Sequence, residues 1–268
     1  MDVGEIDRRA RALLASTGTS DPAHAQPDLD IEAGYAIAAR IRAIRQARGE
    51  SPIGRKIGFT NTTILERYGI SRPMWGPVYD STCHNMGSNT EVETWRFSEP
   101  RIEPEIVLRI GTPPAAGMTV AALLDCVDAV AFGFEIVQSV FANWRFSPAE
   151  AIAAQGLHGA LYVGQWHDIA ADRTVWGKAL GNFTVTLLRN GKPADEGHGH
   201  NVLGGPLKAL AFLVEEISTR SQPGLVSGEI ITTGTLTDAW PIRAGEVWSA
   251  RLEGLPIADI TLSTAGKT

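Results

Sequence analysis

Three glutamates are the strongest candidates for a reactive centre in this sequence. Glu103 and Glu105 lie two residues apart in the segment RIEPEIVLRI. In an extended strand, side chains at this spacing point to the same face, about 6 to 7 Å apart along the chain. Two carboxylates at that distance repel each other, but both can reach one cation. The pair therefore predicts a divalent metal site, with a solvent-exposed strand face as the alternative interpretation.

Glu135 is the third glutamate, and it stands alone in the apolar run AVAFGFEIV. Such a run is typical of a buried strand, where an ionised carboxylate is costly unless a cation, an arginine or a raised pKa compensates for it. One hard cation between all three glutamates would meet that need, and an all-oxygen ligand set favours Mg²⁺ or Mn²⁺ over zinc. An ordinary salt bridge to Glu135 is the alternative.

The elements that must position these glutamates are predicted from apolar periodicity and turn residues. Residues 1–50 form a helical N-terminal segment, with one helix from about Val3 to the stop at Gly18 and a second over Leu29–Arg48, joined by the turn-rich link 21–28. Residues 51–268 form a sheet-rich core. Its predicted strands are PIGRKIGFT, RIEPEIVLRI, AVAFGFEIV, LHGALYV, the Asn190-Gly191 hairpin NFTVTLLRNGKPAD, EIITTGTL, EVWSARLEG and IADITLS. Short helices are predicted over Thr119–Val127, after the cap Ser147, and from Pro206.

Pro104 lies between the paired glutamates. Proline cannot donate a hydrogen bond to a neighbouring strand, so the sequence predicts a sheet edge or a bulge at this position. Either feature would leave Glu103 and Glu105 open to a cleft.

Composition and charge exclude several classes of function. The formal net charge of -6 over 268 residues argues against nucleic acid as a partner, since phosphate binding needs a basic surface. No apolar run approaches the roughly 18 residues of a membrane span, and the first residues do not read as a secretory signal. The only two cysteines, Cys83 and Cys126, make no disulfide framework, which favours a cytoplasmic location.

Five segments, in order, carry a resemblance to a known family. They are GRKIGFTNTTILERYGISRPMWGPV, RIEPEIVLRI, FGFEIVQSVFANW, HGHNVLGGPLKALAFL and SGEIITTGTLTDAWPIRAGE. With them the chain resembles the 2-keto-4-pentenoate hydratase and 4-oxalocrotonate decarboxylase branch of the fumarylacetoacetate hydrolase superfamily. The resemblance implies an α+β fold, with a fumarylacetoacetate-hydrolase-like mixed β-sheet core and a helical N-terminal arm.

The resemblance also assigns roles to individual residues. It implies that Glu103, Glu105 and Glu135 ligate Mg²⁺ or Mn²⁺, and that Lys56 is catalytic. A surface lysine is the alternative for Lys56. Thr233, in the segment TGT, is expected to help hold the substrate, and Trp144 to lie closest to it; an ordinary strand end is the alternative for Thr233. A homo-oligomer, at least a dimer, is a further implication.

Two segments depart from the family pattern. Met74 stands where hydratases of this branch have aspartate, and IAAQGLHG places Ala154, Gln155 and His158 at positions that usually hold an acid, an amide and a serine. Gln155 is expected to contact substrate. His158 is predicted to act as general acid or base in place of the missing groups, with a hydrogen-bonded histidine at a strand edge as the alternative.

Two other interpretations concern histidines and tryptophans. His198 and His200 alternate around Gly199 and form either a second metal site, a substrate contact or plain surface. Trp75, Trp144, Trp166 and Trp240 are candidates to line a pocket or an interface.

The predicted activity is that of a metal-dependent lyase acting on a small 2-oxo acid, most simply by hydrating a 2-hydroxydienoate. The acid is expected to chelate the cation through its carboxylate and 2-oxo oxygens, which stabilises an enolate. Decarboxylation of a 2-oxo-3-hexenedioate passes through a similar enolate and needs a basic residue for the second carboxylate; Arg55, Arg72 and Arg145 are candidates. Hydrolysis of an acylpyruvate-like carbon–carbon bond and a metal-binding partner subunit without turnover are the remaining alternatives.

Overall fold

Helices and strands alternate irregularly along the chain in this computed structural model, which describes residues 1–62 and 72–267 apart from residues 20, 21, 25 and 27. The helices are α1 Val3–Ser16, α2 Ile31–Ala47, α3 Val120–Asp125, α4 Pro148–Ala153, α5 Arg173–Leu180 and α6 Pro206–Thr219. The strands are β1 Pro52–Gly58, β2 Met74–Tyr79, β3 Cys83–Asn85, β4 Glu91–Glu93, β5 Arg101–Ile110, β6 Val127–Val137, β7 His158–Val163, β8 His167–Asp168, β9 Thr184–Arg189, β10 Lys192–His198, β11 Ile230–Thr232, β12 Trp240–Pro241, β13 Val247–Glu253 and β14 Ile260–Ala265. Part of the predicted link 21–28, and residues 63–71 of the first matching segment, lie outside the described residues.

Two mixed sheets organise the described strands. The larger sheet has the order β2-β1-β11-β5-β6-β7-β3, with β12 beside β5 and β8 beside β6. The smaller sheet has the order β10-β9-β13-β14-β4. Both sheets combine parallel and antiparallel strand pairs. β1 pairs parallel with β11 in the larger sheet, and β14 pairs parallel with β4 in the smaller one. The predicted α+β fold with a mixed sheet core is confirmed.

Strands β5 and β6 form the centre of the larger sheet. They pair antiparallel over almost their whole length, and Glu103 lies directly opposite Glu135 in this register. Every residue of β6 after Asp128 is buried, as the apolar run predicted, because other elements cover both faces of the strand. The pairing brings two distant glutamates side by side in the middle of the molecule.

The prediction that Pro104 marks a sheet edge or a bulge is wrong, because β5 lies between β11 and β6 and its register with β6 is regular at Pro104. Proline is tolerated here for a local reason. β11 pairs with β5 only from Val107 onward and β12 only at residues 101–102, so residues 103–106 have no partner strand on that side. The carbonyl of Pro104 accepts from Leu236 N at 3.0 Å in this gap. The nitrogen of a strand residue points to the same side as its carbonyl, so Pro104 withholds no N–H from β6.

The N-terminal helices pack against each other and against α4. An aspartate caps the N-terminus of each helix: the Asp2 side chain accepts from Glu5 N, and the Asp30 side chain accepts from Ala33 N. Their buried residues form one apolar cluster with residues near α4: Ala10, Leu13, Leu29, Ile37, Ile41, Ile44, Val140, Phe141, Ala149 and Ala153. The helical segment predicted over residues 1–50 therefore covers one side of the core.

Two predicted elements differ in extent from the structure. The strand EIITTGTL ends at Thr232, and residues 233–239 leave the sheet, although the run is rich in β-branched residues. Gly234 has φ +98°, a conformation that side chains rarely adopt, and its N–H bonds a side chain instead of a strand. The strand LHGALYV begins at His158. Among the described helices, none is both long and apolar enough to cross a bilayer.

Candidate active site

The three predicted glutamates converge at the centre of the larger sheet. One carboxylate oxygen from each of Glu103, Glu105 and Glu135 lies within 4.8 Å of the others. Glu103 and Glu105 share a face of β5, as their spacing predicted, and Glu135 joins them because β6 pairs with β5 in the register that sets it opposite Glu103. Glu105 and Glu135 are fully buried.

Lys56 completes this cluster. It lies on β1, which β11 separates from β5, and its side chain is 3% exposed. Its Nζ lies 3.1 Å from Glu135 Oε2. Strand alternation places Lys56 on the face of the carboxylates and its neighbour Arg55 on the other face, where Arg55 pairs with Glu229. The structure thus places the Lys56 ammonium group beside the carboxylates, and its catalytic role stays a prediction.

The pKa values show how strongly the carboxylates oppose one another. Burial, and then the charge of Glu135, raises the pKa of Glu103 to about 7, against the lowering effect of Lys56. Burial and both neighbouring glutamates raise the pKa of Glu105 well above its ordinary value. Burial also acts to raise the pKa of Glu135, but Lys56 and the hydrogen bond with His158 outweigh it and lower that pKa to about 2. Burial acts to lower the pKa of Lys56, but the negative charges nearby, of which Glu135 has the largest effect, outweigh burial and raise that pKa.

The residues present fit a divalent cation. Three ionised glutamates beside one lysine leave two negative charges in a buried site. Glu105 Oε1 is buried and has no hydrogen-bond partner among the described residues, and Glu135 Oε2 is buried with the ammonium of Lys56 at 3.1 Å. Glu105 Oε2 already accepts from Gly234 N at 2.7 Å, which leaves Oε1 for another ligand. Native proteins rarely leave buried polar atoms unsatisfied, and a hard cation is a suitable partner for carboxylate oxygens.

His158 lies behind Glu135 and does not line the cavity beside the carboxylates. Its Nδ1 lies 2.7 Å from Glu135 Oε1 and its Nε2 lies 2.9 Å from Thr82 Oγ1. Burial lowers the pKa of His158 against the opposing effect of Glu135, so the ring is neutral at pH 7. A neutral ring that donates from Nδ1 to the carboxylate accepts the Thr82 hydroxyl at Nε2. Both ring nitrogens are thus engaged, which differs from the predicted general acid or base.

A cavity beside Glu103 and Lys56 has a mostly apolar wall. The apolar residues that line it include Phe59, Val137, Trp144, Leu157 and Ala239. Trp144 is fixed there, because its Nε1 donates to Glu99 O at 2.9 Å and the Arg101 guanidinium lies 4.0 Å from the centre of its ring. Trp144 therefore lines the cavity, and its contact with substrate stays a prediction.

Two other predicted substrate contacts lie away from this cavity. The Thr233 hydroxyl donates to Ile106 O at 3.0 Å and is buried, whereas the next residues, Gly234 and Thr235, line the cavity. Gln155 donates from Nε2 to Tyr79 Oη at 2.8 Å and lines a separate small cavity with His158. The TGT segment therefore reaches the cavity through Gly234 and Thr235, and the Thr233 hydroxyl is used within the protein.

Several residues of the site had a weak sequence signal or none. Phe59 and Asn61 line the cavity, and both belong to the first matching segment. Met74 lies beside the lysine, since a Cβ added at Gly58 would meet Lys56 Cε at 3.6 Å and Met74 Cγ at 3.7 Å. Thr82 follows no recognisable motif, so its contact with His158 could not be found from sequence.

The basic and histidine candidates outside the cluster do not converge on it. Arg55 binds Glu229 and Arg72 binds Glu216, and none of the three predicted arginines lines the cavity. The His198 and His200 rings stack with centroids 4.9 Å apart. Within the described part of the chain, the only group of three or more possible metal ligands is the three glutamates.

Comparison with known proteins places this geometry in a family. Residues 74–262 match the model described as fumarylacetoacetate (FAA) hydrolase C-terminal. The chain is 28% identical to a 2-hydroxyhexa-2,4-dienoate hydratase from Comamonas testosteroni over 257 residues, which cover 96% of this chain and 93% of the relative. It is 28% identical to a 4-oxalocrotonate decarboxylase from a Pseudomonas species over 225 residues, 84% of this chain and 83% of the relative.

A solved structure has the same fold. The 4-oxalocrotonate decarboxylase from Pseudomonas putida G7, complexed with magnesium and adipate, superposes with a TM-score of 0.88 over 98% of each chain, at 22% identity. The family predicted from the sequence segments is confirmed by the matched model, which spans most of the larger sheet and the smaller one. The chain belongs to the fumarylacetoacetate hydrolase family.

Proposed function

We propose that the protein is a Mg²⁺- or Mn²⁺-dependent lyase that hydrates a small 2-hydroxydienoate or 2-keto-4-pentenoate type of acid. The observation that carries the proposal is the buried cluster of Glu103, Glu105 and Glu135 with Lys56 beside it. Relatives named hydratase and decarboxylase, and a similar fold solved with magnesium, support the same class of activity.

The three glutamates would hold the cation, which supplies Lewis-acid polarisation of the substrate's 2-oxo group when bound. Lys56 offers a proton at Nζ on the cavity side, and Glu135 balances its charge. His158 holds Glu135 in place through Nδ1, and Thr82 holds the ring. We therefore assign His158 a positioning role and Lys56 the catalytic one.

The lining favours hydration over decarboxylation of a dicarboxylic acid. Among the described lining residues Lys56 is the only basic one, and Glu135 already pairs with it. A second substrate carboxylate would instead meet the apolar wall that includes Val137, Trp144 and Leu157, where an unpaired charge is costly. A substrate with an uncharged tail fits this wall.

Incubation with Mg²⁺ and 2-hydroxypenta-2,4-dienoate tests the proposal, with the diene absorbance followed in time and the product weighed by mass spectrometry. We expect metal-dependent loss of the diene and a product heavier by one water. Loss of carbon dioxide from a dicarboxylic substrate would identify a decarboxylase, and two fragments from an acylpyruvate would identify a carbon–carbon hydrolase. No metal-dependent turnover of any of these acids would support the partner-subunit alternative.

Assembly and compartment are part of the same proposal. We propose a homo-oligomer, at least a dimer, on the strength of the family resemblance, and sedimentation of the purified protein tests it. Cys83 and Cys126 are free thiols, which supports a reducing, cytoplasmic location.

A further inference from the structure

A second cavity lies on the face of the larger sheet opposite the carboxylates. Its walls come from α2, α6 and β2, and its lining includes Tyr35, Arg42, Trp75 and Arg220. The cavity volume is about 320 Å³, whereas the space beside the carboxylates is about 30 Å³. A volume near 300 Å³ is at the lower end of the range for small-molecule sites. The two cavities share the β1–β2 wall, since Lys56 faces one side and Arg55 the other.

Among the described residues that line this cavity, one positive charge is unbalanced. They include three arginines and two glutamates: Arg42, Arg72, Arg220, Glu32 and Glu216. Glu216 is almost fully buried and takes both Arg72 and Arg220 at 2.6 Å, and Arg220 also binds Glu32 at 2.6 Å. Arg42 has no hydrogen-bond or ion-pair partner among the described residues. The lining therefore holds one guanidinium that is free to bind an anion.

The wall beside Arg42 is aromatic. The rings of Tyr35 and Trp75 lie 5.7 Å apart at an angle of 33°, and Arg220 covers the Tyr35 ring at 4.3 Å. Ala38 and Ala39 leave room beside them. Burial, and then the charge of Glu216, raises the pKa of Tyr35 to about 12, so its hydroxyl stays neutral.

Hydrogen-bond donors without acceptors occur on the same face. Trp75 is buried, and its indole Nε1 has no partner in the described structure. The Arg55 guanidinium lies 5.3 Å from the Trp75 ring, and its Nη1 also lacks a partner. Buried donors in native proteins normally have an acceptor, and of these two residues Trp75 lines the cavity, so its indole N–H points to a ligand that supplies an acceptor oxygen.

We propose that this cavity is a binding site for a small planar organic acid, with its carboxylate on Arg42 and its flat body against Tyr35 and Trp75. Arginine binds carboxylates through two parallel hydrogen bonds and stacks on flat groups, which matches both halves of such a ligand. The site is separate from the carboxylate cluster, so its occupancy does not depend on the proposed catalysis.

Calorimetric titration with benzoate tests the proposal, with benzamide as the uncharged analogue and inorganic phosphate as the simple anion. We expect benzoate to bind the Mg²⁺-supplemented protein, benzamide not to bind, and Arg42→Gln to weaken benzoate binding at least about tenfold, as loss of a hydrogen bond to a charged group does. The matched control is Arg48→Gln, which removes an exposed arginine just beyond the end of α2 and should leave the affinity unchanged. A second variant, Ala39→Leu, fills the cavity and should also weaken binding.

Four results would overturn the proposal: no benzoate binding to the wild-type protein, equal binding by Arg42→Gln, equal binding of benzamide, or displacement of benzoate by phosphate at the same concentration. Binding that disappears in Glu135→Gln but survives in Arg42→Gln would place benzoate at the carboxylate cluster and would also overturn it. Unchanged melting temperatures of Arg42→Gln and Arg48→Gln show that the variants fold.

Discussion

Glu135 is the carboxylate on which the other groups of the site converge. Lys56 contacts one of its oxygens, His158 the other, and Glu103 lies directly opposite it across the strand pair. A metal ligand held from behind by a hydrogen bond keeps the orientation that the ion requires, and loss of such a contact weakens metal binding. We propose that His158 acts through Glu135 and not by contact with the substrate.

Replacing His158 by alanine should weaken Mn²⁺ binding about 10- to 100-fold, because Glu135 loses the donor that fixes its Oε1. Thr82→Val, which removes the outer partner of the ring, should weaken it less. Calorimetric titration of Mn²⁺ into each chelator-treated variant measures both effects, and turnover at saturating Mn²⁺ should recover in large part.

The exposed His198 provides the control, since His198→Gln removes a histidine that belongs to no group of potential metal ligands among the described residues. Its Mn²⁺ affinity should equal that of the wild-type protein. A general acid or base at His158 predicts the reverse pattern for His158→Ala: unchanged Mn²⁺ affinity, a low maximal rate at saturating metal and an altered pH–rate profile.

The types of the site residues were predictable, but their partners were not. The spacing of Glu103 and Glu105 fixes their shared face, and the apolar surroundings of Glu135 mark it as needing compensation. The register that sets Glu103 opposite Glu135 depends on which strands are neighbours, which one-dimensional spacing does not contain. The direction of the His158 ring and the internal bond of the Thr233 hydroxyl likewise follow from tertiary packing.

The segment of residues 233–239 is the element that completes the site beside β5. It fills the gap in strand pairing at Pro104, and Gly234 N bonds Glu105 Oε2 at 2.7 Å. A Cβ at Gly234 would lie 1.7 Å from Thr60 Oγ1, and φ there is +98°. Only glycine meets both demands without displacement of the segment.

Gly234→Ala should therefore lower the free energy of unfolding by about 2–5 kcal/mol, from the left-handed backbone and the overpacking together. It should also weaken Mn²⁺ binding, because Glu105 loses its N–H partner. Urea unfolding and Mn²⁺ titration measure the two effects.

Gly228→Ala separates backbone strain from the clash. Gly228 has φ +88°, yet nothing lies within 4 Å of its added Cβ. This variant should lose only about 1–2 kcal/mol and keep wild-type Mn²⁺ affinity. Equal losses in the two glycine variants would contradict the close approach at Gly234.

The pair of N-terminal helices is predicted to unfold together with the core. Leu13 is 2% exposed in the apolar cluster that joins α1 and α2 to α4. Leu13→Ala should lower the free energy of unfolding by about 2–5 kcal/mol in a single transition seen by both circular dichroism and tryptophan fluorescence. Val3→Ala, at an exposed position of α1, should change it by less than about 0.5 kcal/mol. Separate transitions for the two probes would instead identify residues 1–50 as an independent unit.

Periodic elements could be predicted from sequence, and irregular ones could not. The two N-terminal helices, β5, β6, the Asn190-Gly191 hairpin and α6 have caps, turns or long apolar patterns, and each forms close to its predicted bounds. The short strands β8 and β12 hold two residues each, too few for any pattern. The sequence assigned Pro104 to a sheet edge because a gap in strand pairing inside a sheet tolerates a residue without an N–H in the same way as an edge does.

At the scale of the whole molecule, one sheet separates two sites of different charge. The cluster on one face groups three carboxylates with one lysine, and the described lining of the cavity at Arg42 on the other face has one arginine more than glutamates. The fold is shared by hydratases and a decarboxylase, so it fixes the position of the chemistry and not the product. In the function proposed above, the product depends on the wall that includes Val137, Trp144 and Leu157.

Titration of Mn²⁺ into the chelator-treated protein, with bound ions counted per chain, tests the central claim most directly. The wild-type protein should bind one ion per chain, and so should the control variant Asp128→Asn. Asp128 is on β6, like Glu135, but it pairs with Arg109 on β5 and not with the cluster. Glu135→Gln should lower the affinity by more than about a hundredfold, because it removes a ligand and not merely its support. Binding of one ion per chain by Glu135→Gln with wild-type affinity would contradict a metal site built from the three glutamates.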